Sequence, residues 1–190
     1  MDDKESSVQA ALAEFAALRS EALQSFSMQW NAVALQLTAT AVLVSFSLTE
    51  RSRTGFLLIV PIVSYVLNGR YLRSEYNIGH IAAYIMEKLD PRVPGGLGWE
   101  EWLRKSSRGE PVIRWFASGP LLFCAISVLT LVWVVPYIMF ESRISTVDRW
   151  MLGVAWVLDF GLTIASLYTT AQVFKIPLKL RRRQYAGQRP

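Results

Sequence analysis

The chain has 190 residues, of which 52% are hydrophobic and 18% are charged, and its formal net charge is +5 at pH 7. The charges are clustered and leave long uncharged runs, which is typical of a membrane protein with several spans and excludes an ordinary soluble domain. A single cysteine excludes both an intrachain disulfide and a cysteine-based metal site. The first residues are acidic and no apolar run follows them directly, so no cleavable signal peptide is expected.

The N-terminal part of the chain is expected to form one long helix. Residues 6–29 have the spacing of an amphipathic helix, because apolar residues recur at steps of three, four or seven. No glycine or proline separates this segment from the uncharged run 30–49, which is long enough to cross a bilayer. The prediction is a helix from about Ser6 to Leu48, with residues 1–29 outside the membrane. The apolar face of its first half consists of Val8, Leu12, Phe15, Ala22, Phe26 and Val33.

Residues 30–72 are expected to form a first transmembrane hairpin, with a short loop at residues 50–54. The second helix of this hairpin has an uncharged run over residues 55–69 and reaches bilayer length if Arg70 snorkels to the interface. Pro61 is expected to kink that helix, because proline cannot complete the helical hydrogen-bond ladder.

The polar segment 73–114 is predicted to be helical and to lie outside the membrane. Its helix is expected to end at Asp90-Pro91, because the residue before a proline disfavours helix. Pro94-Gly95-Gly96 marks a clear break. Residues 98–105 contain two tryptophans and two basic residues, a composition that suits the headgroup region of a bilayer.

A second transmembrane hairpin is predicted over residues 115–174. Its first helix is the uncharged run 115–140, and a loop at residues 141–149 leads to a last span at 150–174. A basic tail, 175–190, follows. The predicted fold class is therefore an all-α membrane protein with four transmembrane helices, a long N-terminal helical extension and a helical segment between spans 2 and 3.

Lysine and arginine are distributed very unevenly between the two sides of this arrangement. Sixteen of them fall on the side of both termini and the middle segment, and four fall in the two short loops. The positive-inside rule therefore places both termini and the middle segment in the cytoplasm. The predicted location is the bacterial cytoplasmic (inner) membrane.

The last predicted span contains one charged residue, Asp159, near its middle. A carboxylate at that depth costs several kcal/mol unless it faces protein or water, so a functional role is its default interpretation. Thr163, Ser166 and Thr170 follow at steps of four, three and four, which places them on the same side of a helix.

Three interpretations of Asp159 are open at this level. It could line a water-filled pore, where a ring of aspartates would favour cations. It could be a hydrogen-bonded member of the helix bundle, or it could pair with a snorkelling arginine. The last is the weakest, because no span carries a basic residue at matching depth.

A second polar face lies on the first span, where Gln36 and Thr40 are four residues apart. A glutamine is costly against lipid and should face another helix or water. The predicted pore-lining residues are Gln36, Thr40, Asp159, Thr163, Ser166 and Thr170.

Basic residues on the cytoplasmic side are candidates for binding an anionic ligand or lipid. The common partner of a basic run after a last span is anionic lipid. If several subunits bring such tails together, the combined charge would also suit a nucleotide or oligonucleotide. The candidates are Arg70, Arg73, Lys88, Arg92, Lys179, Arg181, Arg182 and Arg183.

The sequence contains no recognisable set of catalytic residues. It has one histidine, His80, and neither a GxSxG nor an HExxH motif. The prediction is a protein that is not an enzyme and has no cofactor or metal.

The motif Asn68-Gly69-Arg70-Tyr71-Leu72, with the sequence PRVPGGLGWE at residues 91–100, resembles small integral membrane proteins of actinobacteria. The overall plan is similar to that of small transmembrane effectors of bacterial anti-phage systems, with the Hailong-type effector nearest in plan. This resemblance covers the architecture of the whole chain and transfers no functional residue. It implies a homo-oligomeric pore, with a tetramer as the expected assembly, a cytoplasmic single-stranded DNA oligomer or nucleotide as ligand and a nucleotidyltransferase as partner.

Two main functional hypotheses follow. The first is a homo-oligomeric channel or pore effector of an abortive-infection system, gated by a cytoplasmic nucleotide or oligonucleotide. The alternative is a non-conducting membrane scaffold that recruits a soluble partner through residues 6–29 and the middle segment. An intramembrane enzyme that uses Asp159 and His80 is the least supported, since Asp159 is the only acid within a predicted span.

Overall fold

The structure is a computed structural model that describes residues 3–98, 119–142 and 144–186, without the side chains of residues 3, 4, 51 and 173–186. Every regular element in these residues is helical. Four helices in the described part of the chain are long and apolar enough to cross a membrane. The predicted all-α architecture with four such helices is therefore confirmed. The candidate spans are Glu5–Thr49, Ser52–Arg92, Gly119–Phe140 and Thr146–Gln172.

The first helix, α1, runs from Asp3 to Thr49 without interruption. Its 47 residues correspond to a length of about 70 Å at 1.5 Å per residue. A bilayer core of about 30 Å needs only about 20 of them. The predicted single helix over residues 6–48 is confirmed, and the structure extends it by a few residues at its N-terminal end.

A 3₁₀-helix, Arg51–Leu58, follows α1. It lies where the sequence predicts a loop at residues 50–54. The reversal of chain direction is fixed locally, because the backbone N–H of Arg53 donates to the carbonyl of Glu50 at 2.9 Å. The two side chains also form an ion pair at 3.0 Å.

The second helix, α2, spans Ile59–Tyr84. Pro61 is its third residue and is buried. The helical run changes from 3₁₀ to α two residues before this proline. The kink that the sequence predicts at Pro61 stays a prediction.

Helical structure continues beyond α2 through a π-helical turn, Ile85–Leu89, and a 3₁₀ turn, Asp90–Arg92. The predicted end at Asp90-Pro91 is therefore slightly early. The break at Pro94–Gly96 is confirmed, since the N–H of Gly96 donates to the carbonyl of Val93 at 2.9 Å.

The chain divides into two compact units, Met1–Trp30 with Arg73–Ser118 and Asn31–Leu72 with Gly119–Pro190. In the first unit, the N-terminal part of α1 packs antiparallel to the C-terminal part of α2. Ala22, Ile81 and Ile85 form its buried apolar cluster, against which Phe15, Leu18 and Leu97 pack.

Polar contacts between α1 and α2 accompany this apolar cluster. Tyr84 Oη donates to Glu14 Oε1 at 2.6 Å, and Asn77 Nδ2 donates to Glu21 Oε1 at 3.1 Å. Nearer the other end, Gln29 Nε2 donates to Glu75 Oε2 at 2.8 Å. Glu14 and Glu21 of α1 are thus engaged with α2.

The second unit includes helices α3, Gly119–Phe140, and α4, Thr146–Ala186. Residues 115–118 of the predicted third span lie outside the described residues. The predicted loop at 141–149 is shorter in the structure. Ser145 caps α4, because Ser145 Oγ accepts the N–H of Asp148 at 3.1 Å and donates to its carboxylate at 2.7 Å.

The helices of the second unit pack together through buried apolar clusters. Leu57, Leu58, Val60, Leu131 and Val134 form one buried cluster. Trp156 Nε1 on α4 donates to the carbonyl of Leu131 on α3 at 3.0 Å. This contact helps to set the register between α3 and α4. A second cluster consists of Ala32, Leu67 and Phe123.

Candidate functional site

One face of α4 is polar and faces the interior of the second unit. Asp159 is only 2% exposed, and the three hydroxyl residues that follow it are similarly buried. These four residues follow one another at steps of four, three and four, so they lie on the same side of the helix. Because all four are buried, that side faces inward. The predicted polar side of this helix therefore lies against protein. Its hydroxyl residues are Thr163, Ser166 and Thr170.

The polar residues of α1 meet α2 in the same unit. Gln36 is fully buried, and its Nε2 donates to Ser64 Oγ at 2.8 Å and to Thr40 Oγ1 at 3.1 Å. Gln36 thus faces another helix. This is expected, because exposing a glutamine side chain to lipid is energetically costly. Thr40 is half-buried at the edge of this group.

Asn68 connects α2 to the polar face of α4. It is 1% exposed, and its Nδ2 donates to Ser166 Oγ at 2.6 Å and to Thr170 Oγ1 at 3.1 Å. Asn68 is not among the residues that the sequence predicts for the site. The available signal was its position four residues after Ser64, which puts both side chains on one face of α2.

The register of α3 against α4 shows what lies level with Asp159. Trp156 bonds Leu131, and Ser166 Oγ lies 3.6 Å from Cys124 Sγ. These two contacts make the helices antiparallel, so Asp159 lies level with the stretch of α3 between Cys124 and Leu131. The buried polar residues of that stretch are Ser127 and Thr130.

The hydroxyl groups near Asp159 donate to their own helices. Ser127 donates to the carbonyl of Phe123 at 2.9 Å, and Thr163 donates to the carbonyl of Asp159 at 2.9 Å. Such bonds to the preceding turn are common in apolar surroundings and use up the hydroxyl protons. They leave those protons unavailable to the Asp159 carboxyl group.

Three buried atoms have no hydrogen-bond partner in the part of the chain that the structure describes: Gln36 Oε1, Asn68 Oδ1 and Asp159 Oδ2. All three are acceptor oxygens. A buried acceptor without a partner costs about 1–3 kcal/mol, so buried polar atoms of native proteins rarely lack a hydrogen-bond partner. Each of these three oxygen atoms can accept a proton, a water hydrogen or a cation.

A cleft of about 300 Å³ lies between α1, the following 3₁₀-helix and α3. Most of its lining is apolar, but Thr40 and Thr130 contribute to it. Thr40 accepts a hydrogen bond from the buried Gln36. The cleft therefore reaches the polar side chains around Gln36 through Thr40. The other lining residues are Val44, Ser47, Leu48, Leu57, Ile126, Leu129 and Trp133.

The basic residues predicted to bind an anionic ligand or lipid are on the surface wherever the structure describes them. Arg70 is exposed in the second unit, and Arg73, Lys88 and Arg92 are exposed in the first. Arg92 lies 3.6 Å from a carboxylate oxygen of Glu14. The remaining candidate side chains lie outside the described part, namely Lys179, Arg181, Arg182 and Arg183.

No protein-family model, no curated protein and no solved structure matches the chain. The resemblance to anti-phage effectors and its implied partners stay predictions. The function is therefore inferred from the buried polar residues of the second unit.

Proposed function

We propose that this chain is a multi-pass membrane protein that lets cations cross the bilayer, with Asp159 as the functional charge. The observation that carries the proposal is the place of this carboxyl group. It lies near the middle of a helix that is apolar enough to span a membrane, it is 2% exposed, and its Oδ2 has no hydrogen-bond partner among the described residues. An acid in that position is costly and is retained mainly where it acts on an ion or substrate.

The chemistry of the surrounding side chains favours cations over anions. Two amide oxygens, Gln36 Oε1 and Asn68 Oδ1, are buried in the same unit as Asp159 Oδ2 and also lack partners within the described part of the chain. The amide N–H groups are already used, since they donate to hydroxyl oxygens. An anion entering this interior would meet unpaired acceptors, whereas a proton or a metal cation would be stabilised by them.

A purely structural role for Asp159 has less support. A carboxyl group that holds membrane helices together is expected to bond a residue of another helix. Among the residues that the structure describes, Asn68 makes two such bonds to α4, and no bond from the Asp159 carboxyl group to another helix is seen there.

The finer parts of the proposal come from the sequence. The lysine and arginine distribution supports a cytoplasmic location of both termini and the middle segment. Assembly from several copies, an inner-membrane location in bacteria and control by a nucleotide or oligonucleotide belong to the same proposal. The exposed positions of Arg73, Lys88 and Arg92 are compatible with contact to an anionic ligand or to lipid headgroups.

The test is the current through planar bilayers that contain the purified protein. The variant Asp159→Asn keeps the size of the side chain and removes its charge. A lost charge interaction of about 1.4 kcal/mol lowers a rate tenfold, so the cation current should fall by about tenfold or more. Asp148→Asn is the matched control, because Asp148 is an exposed acid on the same helix and asparagine can replace it in the cap.

Unchanged current and unchanged cation preference in Asp159→Asn would refute the role of Asp159. A silent bilayer with well-folded wild-type protein would refute the channel altogether. Adding short single-stranded DNA to the cytoplasmic side tests the gate separately, because suppression of an existing current is the expected response.

The second candidate function, a membrane scaffold, is favoured by one observation. Leu12 and Phe26 on the N-terminal half of α1 are each 46% exposed, and if this half lies outside the membrane they offer apolar surface to a soluble partner. A scaffold would conduct no current, and deletion of residues 2–28 would abolish binding of its soluble partner.

A further inference from the structure

The N-terminal half of α1 has two apolar faces, and the residues that the structure describes cover only one of them. The covered face packs on α2 through Leu18 and Ala22. The uncovered face carries Leu12, Leu23 and Phe26, which are 46%, 65% and 46% exposed. The sequence predicts one face that contains both Ala22 and Phe26, whereas the structure buries Ala22 and leaves Phe26 exposed.

The uncovered residues have the spacing of a coiled-coil seam. From Leu12 the positions continue at steps of four, three, four, three and four through Ala16, Arg19, Leu23, Phe26 and Trp30. Alternating steps of three and four give a 3.5-residue period, which keeps one stripe of a helix facing a parallel neighbour. These six residues are here called the α1 stripe. Trp30, at its end, is 74% exposed.

We propose that the α1 stripe is where a second copy of this chain packs, with the two α1 helices parallel and in register. The inference rests on the membrane-spanning arrangement of the proposed function and specifies the surface that its assembly would use. Because α1 continues unbroken to Thr49, copies inserted in one membrane carry their α1 helices in the same direction. Equal stripes at equal depth then face each other, as an in-register pair requires.

The charges on α1 are compatible with this pairing. Glu14 and Glu21 lie off the stripe and are bonded to Tyr84 and Asn77 of α2, so their carboxylates are directed toward α2 and not into the seam. Arg19 is the one charged residue of the α1 stripe. It has an interaction in this structure. In an in-register pair it faces its own equivalent, and a single polar residue in a seam fixes the register at a cost in stability.

A soluble partner is a less specific explanation of the stripe. A soluble partner helix could cover Leu23 and Phe26, but a second α1 would also lie against Trp30, where the uncharged run of the first span begins, because it enters the same membrane there. The proposal therefore commits to self-association.

Disulfide crosslinking in membranes tests the proposal. The native Cys124 is buried and is replaced by alanine as background. Leu23→Cys and Phe26→Cys place thiols on the α1 stripe, where a partner thiol would be within reach. Met28→Cys is the matched control, because Met28 is 50% exposed on the same stretch of helix but lies off the stripe. Mild oxidation should give covalent dimers of both stripe variants and at least about fivefold less dimer of the control, since only a residue in the seam faces its own equivalent.

Equal yields at residues 23, 26 and 28, or no dimer at residues 23 and 26, would overturn the proposal. The second of these results, with thiols at 23 and 26 protected from a water-soluble maleimide, would assign the stripe to a soluble partner or to residues 99–118 of the same chain. Phe26→Asp gives an independent measurement. The mass of the purified assembly should decrease, whereas Met28→Asp should leave it unchanged.

This inference and the proposed channel fail separately. Dimers of the stripe variants in a protein that passes no current would uphold the α1 stripe and refute conduction. Cation currents from a protein without stripe dimers would uphold conduction and refute the α1 stripe as a dimer contact.

Discussion

Asn68 Nδ2 on α2 lies 2.6 Å from Ser166 Oγ on α4, and it donates the hydrogen bond that joins these helices across 98 residues of sequence. The bond lies among the buried polar side chains that also include Thr170 and Cys124. It shows that the polar face of α4 has a partner within its own chain. A conduction path that uses Asp159 would thus lie inside the second unit, at least in part.

Asn68→Ala is expected to destabilise the second unit. It removes two hydrogen bonds and leaves Ser166 and Thr170 without their donor. Interhelical hydrogen bonds in membranes average about 0.6 kcal/mol and reach about 1.7 kcal/mol, so a loss of about 1–3 kcal/mol is expected, seen as a lower thermal-unfolding midpoint in detergent. The pair Asn68→Ala and Ser166→Ala should be less than additive, because both remove the same bond. Full additivity would show that this bond contributes nothing.

Gln36→Leu distinguishes a functional from a structural role of the polar residues on α1. Leucine has a similar size and removes a buried amide whose Oε1 has no partner within the described residues. Replacing both partners of a buried hydrogen bond by apolar groups is often nearly neutral, whereas removing only one partner costs about 1–3 kcal/mol. Gln36→Leu is therefore combined with Ser64→Ala, because Ser64 Oγ accepts the buried hydrogen bond from Gln36. We expect the unfolding stability of this double variant to change by less than about 1 kcal/mol, while its cation current falls several-fold. Loss of stability with normal specific current would instead assign Gln36 to packing.

Helix positions and the polar side of α4 could be predicted from the sequence. The absence of glycine and proline before Thr49 indicated one long helix, and the structure has it. The four, three, four spacing after Asp159 placed four polar residues on one side, and all of them are buried. Periodicity is a local property of the chain, and both features depend on nothing else.

What the sequence could not provide is the partner of each face. Asn68 escapes prediction because its acceptors Ser166 and Thr170 lie 98 and 102 residues away in the chain. The sequence pattern puts the apolar positions of α1 on a single surface, because Ala22 and Phe26 are four residues apart and therefore lie on the same side of a helix. In the structure α2 approaches the small Ala22 side chain and leaves Phe26 uncovered. Periodicity cannot show which part of a broad apolar face a neighbouring helix covers.

The turn after the helical segment of the first unit gives a third prediction. Gly95 has a φ of 87° in a turn closed by the Gly96-to-Val93 bond, and Pro94 precedes it, as in a type II turn. A left-handed conformation costs a residue with a Cβ about 1–2 kcal/mol. Gly95→Ala should therefore increase amide hydrogen exchange at residues 93–98.

The control for this variant is Gly79→Ala. Gly79 lies within α2 and has no positive φ, and a Cβ added there would meet no atom of the described residues within 4 Å. Alanine in a helix interior is favoured over glycine by up to about 1 kcal/mol. Gly79→Ala should leave exchange unchanged or slow it. Equal behaviour of both variants would contradict the strain at Gly95.

A matching test on Asp90 examines what holds the turn in place. Asp90 Oδ1 accepts hydrogen bonds from the N–H groups of Leu97 and Gly98, the latter at 3.4 Å. Asp90→Ala removes both bonds and should increase exchange at Leu97 and Gly98. Asp90→Asn should have a smaller effect, because its amide oxygen can still accept. If asparagine and alanine are equivalent at this position, the turn is held by its own backbone.

The last prediction concerns the contact between α2 and α3. A Cβ at Gly119 would lie 2.6 Å from a ring carbon of Tyr71, which is too close for any side chain, and the tyrosine ring also packs edge-on against Phe123 at a centroid distance of 5.9 Å. Gly119→Ala should therefore force the ring or the helix to move and destabilise the protein by about 1–3 kcal/mol. Gly153→Ala is the control, since no atom of the described residues lies within 4 Å of the corresponding Cβ position. The penalty should shrink in a Tyr71→Leu background, because leucine leaves room for the methyl group. An equal penalty in both backgrounds would mean that Gly119 is required for a reason other than the tyrosine ring.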